Sequence, residues 1–303
     1  MQLLSKRSLS AIFLLTICFT AMGQVQPSAE IKRAIIGDFY IQTGMYLERN
    51  ANGTLADFQA LAPQSVLLAN DFTDYSTSNG FSITGNTLFS VMVGLQFSDK
   101  QRTYYKENPV VRLGFSYFTG NTLTSGVFRE TQVPFDTLTS ASTGQTLYVD
   151  SVTIENYNMN YSSEQLRFDG SFIYRTNPAA RWSMFTGAGI TAGLAITTYT
   201  DIYYSKYGRT DTRYANETQS SSFSYSNFIS SKSESFQNRT TFGASAYVPL
   251  GIDFRIGKDK EFWKRTHLFY EIRPGINFTA IPELHTVANV SLQSGFGLRV
   301  SWD

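Results

Sequence analysis

The feature that most restricts the fold of this chain is the period of its apolar residues. No long stretch carries the 3.6-residue repeat of a helix, whereas alternation with a period of two recurs, the signature of strands with one apolar face. In 38–48, Phe39, Ile41, Met45 and Leu47 oppose Asp38, Tyr40, Gln42, Gly44, Tyr46 and Glu48. In 88–98, Phe89, Val91, Val93, Leu95 and Phe97 oppose Ser90, Met92, Gly94, Gln96 and Ser98, and in 110–118 Val111, Leu113, Phe115 and Tyr117 oppose Arg112, Gly114 and Ser116. The same pattern returns in 166–175, 182–197, 242–256, 268–279 and 289–302, which makes eight predicted strands.

The connections alternate in length. Segments 49–84, 119–162 and 206–238 are long and polar; 99–107, 176–180, 257–266 and 282–286 are short. An even number of strands joined by alternating long and short connections is the plan of a transmembrane β-barrel, with strands of about 9–11 membrane residues. Within the long segments, Thr54 precedes Leu55, Phe58 and Leu61 at helical spacing and Pro63 follows, which predicts a short capped helix. Leu123 to Phe135 and Leu147 to Tyr161 read as two arms of a ribbon; were it to enter the membrane, the barrel would have ten strands rather than eight. Nine serines among residues 220–235 predict a mobile, polar stretch.

A soluble sandwich alternates as well, so the identity of the polar face decides. That face carries Asp38, Glu48, Asp169, Asp253 and Glu271 against Arg112, Arg167, Arg175, Arg255, Arg273 and Arg299, and no lysine. Arginine suits buried, multiply bonded ion pairs, and glycines share the face, as a narrow interior requires. The opposite face is free of charge and rich in rings, which fits lipid. It also explains a composition that is 15% aromatic and only 16% charged. The expected fold is all-β: a closed antiparallel transmembrane barrel, with the eleven charges forming a network in its lumen.

The first 23 residues have the three parts of a secretory signal: Lys6 and Arg7, the apolar run Leu9 to Thr20, and small residues Ala21 and Gly23 about Met22. The apolar run is too short to span a bilayer. Removal of 1–23 would leave 280 residues for the barrel domain 24–303, without the single cysteine, Cys18, and with 23 basic against 24 acidic groups. That balance gives no electrostatic case for nucleic acid.

The segment Val290 to Trp302, in which Phe296, Leu298, Val300 and Trp302 alternate, resembles the C-terminal assembly signal of outer-membrane barrels, although Asp303 follows the closing aromatic. With the lumen charges and the leader, it makes the chain similar to the small outer-membrane β-barrels of the OmpA/OmpX-like group, of a Bacteroidota type. The resemblance covers roughly 36–303. It implies a monomer in the outer membrane of a Gram-negative cell, whose partners are outer-membrane lipid and the barrel assembly machinery, with any extracellular ligand held by the long segments.

The sequence offers little chemistry. No HExxH, GxSxG or phosphate-binding loop is present. The two histidines, His267 and His285, fall near opposite rims, so no metal and no cofactor are expected. The outer segments carry Tyr203, Tyr204, Tyr207, Phe223, Tyr225 and Phe228 among many serines, a pairing suited to adaptable contacts. Asp136-Thr137-Leu138 and Asp150-Ser151-Val152 are similar to short O-glycosylation tripeptides. The expected role is therefore structural or surface-interacting and non-enzymatic. A small channel for polar solutes is the first competing reading. A lipid-modifying enzyme using His285 beside Glu283 is the second.

Overall fold

A computed structural model of the chain describes residues 35–78, 83–96, 109–177, 180–214, 227–257 and 259–302. The predicted signal segment 1–23, the short connection 99–107, and Phe97, Phe223 and Tyr225 lie outside them. Eight antiparallel strands form the wall: β1 (Ile35–Arg49), β2 (Ile83–Gln96), β3 (Pro109–Thr139), β4 (Thr146–Arg175), β5 (Trp182–Tyr214), β6 in two halves (Phe242–Tyr247 and Leu250–Arg255), β7 (Thr266–Ala280) and β8 (Thr286–Ser301). Each pairs with its neighbour in sequence, and β8 returns to β1 along eleven residue pairs from Asp38↔Ser301 to Glu48↔Ser291. The ring is closed, and the ribbon of β3 and β4 adds length rather than a ninth and tenth strand. Closure leaves no strand edge within the wall, the condition for backbone to lie in hydrocarbon.

The faces sort as the period-two pattern predicts. Phe39, Ile41, Met45, Phe89, Phe115, Leu166, Phe168, Leu250, Ile252 and Leu268 point outward, while Tyr40, Gln42, Arg112, Asp169, Glu271 and Arg273 are buried in the lumen. Phe296, Leu298 and Trp302 are exposed on the outer wall, and Trp302 meets the ring of Phe39 edge-on across the β1–β8 seam. No helix among the described residues is long and apolar enough to cross a membrane; the crossing elements are strands.

Inside, large rings occupy the space that glycines leave on the next strand. A Cβ built on Gly251 would lie 2.1 Å from the ring of Phe185, one on Gly297 2.3 Å from Phe269, and one on Gly189 2.3 Å from Tyr247. The ring therefore fills the lumen only because its neighbour has no side chain.

β3, β4 and β5 have 31, 30 and 33 residues, about twice the 14 to 16 of β1, β2, β7 and β8. Their surplus continues past the wall as a sheet, joined by an outer strand at Asn227–Gln237 that pairs with β5. That strand includes part of the serine-rich stretch, which was expected to be mobile: hydrogen bonding to β5 orders residues whose side chains offer no core. Likewise 206–214 is strand rather than loop.

On the extension, the lumen-facing side changes from polar to apolar, and a folded lid covers it. Helix α1 (Leu55–Leu61) begins at Thr54, whose hydroxyl accepts the Asp57 amide while the Asp57 carboxylate accepts the Thr54 amide, a reciprocal cap. Phe58 and Leu61 pack with Leu67 and Leu68 against Leu123, Val127, Tyr157, Met159, Tyr161 and Ile202 of β3–β5, and also with Ile281 and Val287 beside the β7–β8 turn. One apolar core thus joins opposite walls and closes the mouth.

Candidate functional site

The lumen charges fall into three tiers. Nearest the short connections, Arg299 donates to Asp38 Oδ1 (2.8 Å) and, in bidentate fashion, to both oxygens of Asp253 (2.8 and 3.1 Å). Arg175 stands 3.9 Å from Asp38 and 3.7 Å from Asp253, and His267 Nδ1 lies 2.6 Å from Asp253 Oδ1.

The middle tier is the tightest. Arg112 grips Glu271 through both terminal nitrogens (2.6 and 2.9 Å) and gives its Nε–H to Ser171. Arg273 donates to Glu271 (2.6 Å), Asp169 (3.0 Å) and Gln42 (2.7 Å). Asp169 also accepts from Ser116 and Tyr247. Two cations and two anions, all fully buried, thus balance one another. Such a group survives away from water because nearly every lone pair and N–H has a partner.

Toward the lid the pairing becomes indirect. Arg167 donates to Gln165 and to Asn277 Oδ1 (2.6 Å), and Asn277 passes its amide on to Glu48 (3.0 Å), which also accepts from Tyr46 and Asn289. A gap of about 20 Å³, room for roughly one water, remains here between Tyr46, Phe118 and Arg167.

Ten of the eleven predicted charges therefore meet in the lumen, in three groups rather than one network. Arg255 is the exception. As the last residue of β6, at the short-connection end, it is half-buried and has no ion pair among the described residues. Glu48 and Arg167 do not bond directly and are joined through Asn277. The uncharged members, Tyr40, Tyr46, Tyr247, Gln42, Gln165 and Asn277, have the parity of the charges, and the alternation of 38–48 sets Tyr40, Gln42 and Tyr46 on that face. His267 joins the first tier on the same rule. His285 is exposed in the β7–β8 connection, at the opposite end of β7 from His267.

Beyond the wall, Glu155 of β4 forms a second hub. It accepts from Tyr75 (3.0 Å), Tyr204 (2.9 Å) and Arg129 (3.1 Å), with Lys206 Nζ at 3.3 Å. Partial burial pushes its carboxyl up, but these donors outweigh that and hold it at about 2. Tyr75 belongs to the lid and the other donors to the sheet, so the hub latches the lid's far end.

The chain matches no known family profile and no curated protein. Among solved structures it is similar to neisserial surface protein A, NspA (11% identity, 88% of this chain, 99% of that chain, TM-score 0.28). It is also similar to Ail, the attachment invasion locus protein of Yersinia pestis, in complex with the heparin analogue sucrose octasulfate (12% identity, 88% and 99%, TM-score 0.21). A third is the transport unit of the autotransporter AIDA-I from Escherichia coli (10%, 96% and 97%, TM-score 0.19). At such scores the likeness carries no argument about activity. The closed ring, the apolar wall and the charged lumen define the class by themselves: an eight-stranded transmembrane β-barrel.

Proposed function

We propose that this chain is a non-conducting, non-catalytic barrel of the outer membrane of a Gram-negative cell, which presents its extended end to the exterior for surface interactions. The observation that carries this reading is the extension itself: three strands of double length, ordered into a sheet with its own apolar core. Exposed rings and aliphatic side chains stand on that sheet, among them Phe135 (75% exposed), Val133, Leu138 and Tyr203. A chain selected only to cross the bilayer has no use for so much ordered surface.

Closure of the lumen at two heights, by buried ion pairs and by the lid's apolar core, supports anchoring over transport. Pure protein in planar bilayers should give no reproducible conductance steps, and regular steps would overturn that part of the reading.

Orientation and location have their own test. With the expected leader removed, the mature chain lacks cysteine, so Phe135→Cys and Thr176→Cys place single thiols at opposite ends. In intact cells a membrane-impermeant maleimide should label Phe135→Cys alone, and both after lysis. The chain should fractionate with the outer membrane and show a heat-dependent gel shift. Labelling of Thr176→Cys in intact cells, or recovery in the soluble periplasm, would sink the proposal.

A further inference from the structure

The outer wall is not evenly convex. Toward the short connections, four adjacent strands, β4 to β7, border an open groove of about 510 Å³. Tyr174, Met184, Thr186, Leu250, Ile252 and Ile272 line it, and most are turned away from the lumen. Its volume lies within the range of ordinary ligand pockets, roughly 300–1,000 Å³, and three strand spacings make it about 14 Å wide.

Two local causes shape it. Thr186 and Ala188 are short where Met184 and Ile190, the outward residues on either side of them, are long. β6 is also interrupted at Val248 and Pro249, beside the groove: the Val248 amide keeps register with the carbonyl of Pro274, but Pro249 has no N–H to give the ladder.

The groove opens immediately inside an aromatic rim. Trp182 meets Phe254 at 4.5 Å, the rings tilted by 47°, and each lies one outward position from a lining residue, Met184 and Ile252 respectively. Beside them the guanidinium of Arg181 sits 5.0 Å from the Phe254 ring. Arg181 is exposed and has no ion pair among the described residues. An apolar trough ending at a rim of rings and the exposed guanidinium of Arg181 matches a chain with an anionic head, the chemistry of a membrane phospholipid.

We propose that this groove is a specific site for one anionic phospholipid of the leaflet on the short-connection side. An acyl chain fills the groove and the phosphate meets Arg181. The leaflet assignment rests on the orientation given under Proposed function, in which this end faces the periplasm. There phospholipid, not lipopolysaccharide, supplies the chains.

The test is native mass spectrometry of the full chain released from nanodiscs of equal phosphatidylglycerol and phosphatidylethanolamine. One phospholipid should stay bound per barrel, with phosphatidylglycerol favoured about fivefold, the factor expected from one cation near a lipid headgroup. Thr186→Trp, which fills the groove, should abolish retention. Ile190→Trp, on the same face of β5 but outside the groove, should not. Arg181→Gln should keep the lipid and lose the preference. If Thr186→Trp fails its heat-dependent gel shift, Thr186→Leu takes its place, with reduced retention expected. Equal retention in the groove variants and the parent, or none in the parent, would overturn the site. Lipid retention by a chain that fractionates with the inner membrane would overturn the proposed location and leave the groove standing.

Discussion

Replacing Glu271 by Gln tests the middle tier of the lumen with little change of shape. The parent balances Arg112 and Arg273 against Glu271 and Asp169. The amide leaves one buried positive charge uncompensated. Arg112 loses its only anionic partner among the described residues and one of its two bonds of 2.6 and 2.9 Å, since the amide keeps one accepting oxygen and turns an N–H toward the guanidinium, while Arg273 keeps Asp169 and Gln42. Breaking a buried pair from one side costs about 3–5 kcal/mol. For a chain of this size each kcal/mol lowers Tm by about 2–4 °C, so the expected fall is about 6–20 °C. It is read from the heat-dependent gel shift or from circular dichroism in detergent. The double variant Arg112→Met, Glu271→Met removes both charges and leaves Arg273 with Asp169, so it should recover more than half of the loss. A Glu271→Gln barrel that melts within about 2 °C of the parent would refute the idea that this pairing holds the lumen together. So would a double variant no better than the single one.

Gly251→Val should prevent the heat-dependent gel shift, because its Cβ would lie 2.1 Å from the Phe185 ring; Phe185→Ala in the same chain should restore the shift. Thr54→Ala removes the reciprocal cap of α1 and should cost about 1 kcal/mol, seen as faster amide exchange over 55–61 and in barrel residues not at all. Acid should loosen the lid before the barrel. Glu155 is held at about 2 in the folded protein against an ordinary 4.5. Its contribution is thus complete above about pH 4.5 and is lost as pH falls toward 2. Proteolysis of 70–78 should rise over that window, and Glu155→Gln should show the raised rate already at pH 7.

The barrel wall was legible in the sequence because strand alternation is local. Whether Phe115 faces out and Arg112 in depends only on their parity along one strand. Five acids and six arginines sharing that parity, with no lysine, were enough to predict a sequestered polar interior. Uncharged residues such as Tyr247 and Asn277 were equally readable by parity, but a search for charge passes over them. The capped helix at Thr54 was legible for the same reason, since its signal lies within eight residues.

Only the tertiary structure decided the rest, because it depends on register between strands far apart in the chain. Arg112 and Glu271 are 159 positions apart, and Arg299 and Asp38 261; which acid meets which arginine is set by the stagger of the closed ring. Arg255 has the parity of the network and stands outside it, since parity gives a face and not a height. The serine-rich strand was read as mobile because its order comes from β5 rather than from its own side chains. The lid is also non-local: Phe58 and Leu61 find their core only where the lumen faces of β3, β4 and β5 rise past the wall to meet Ile281 and Val287 from the other side.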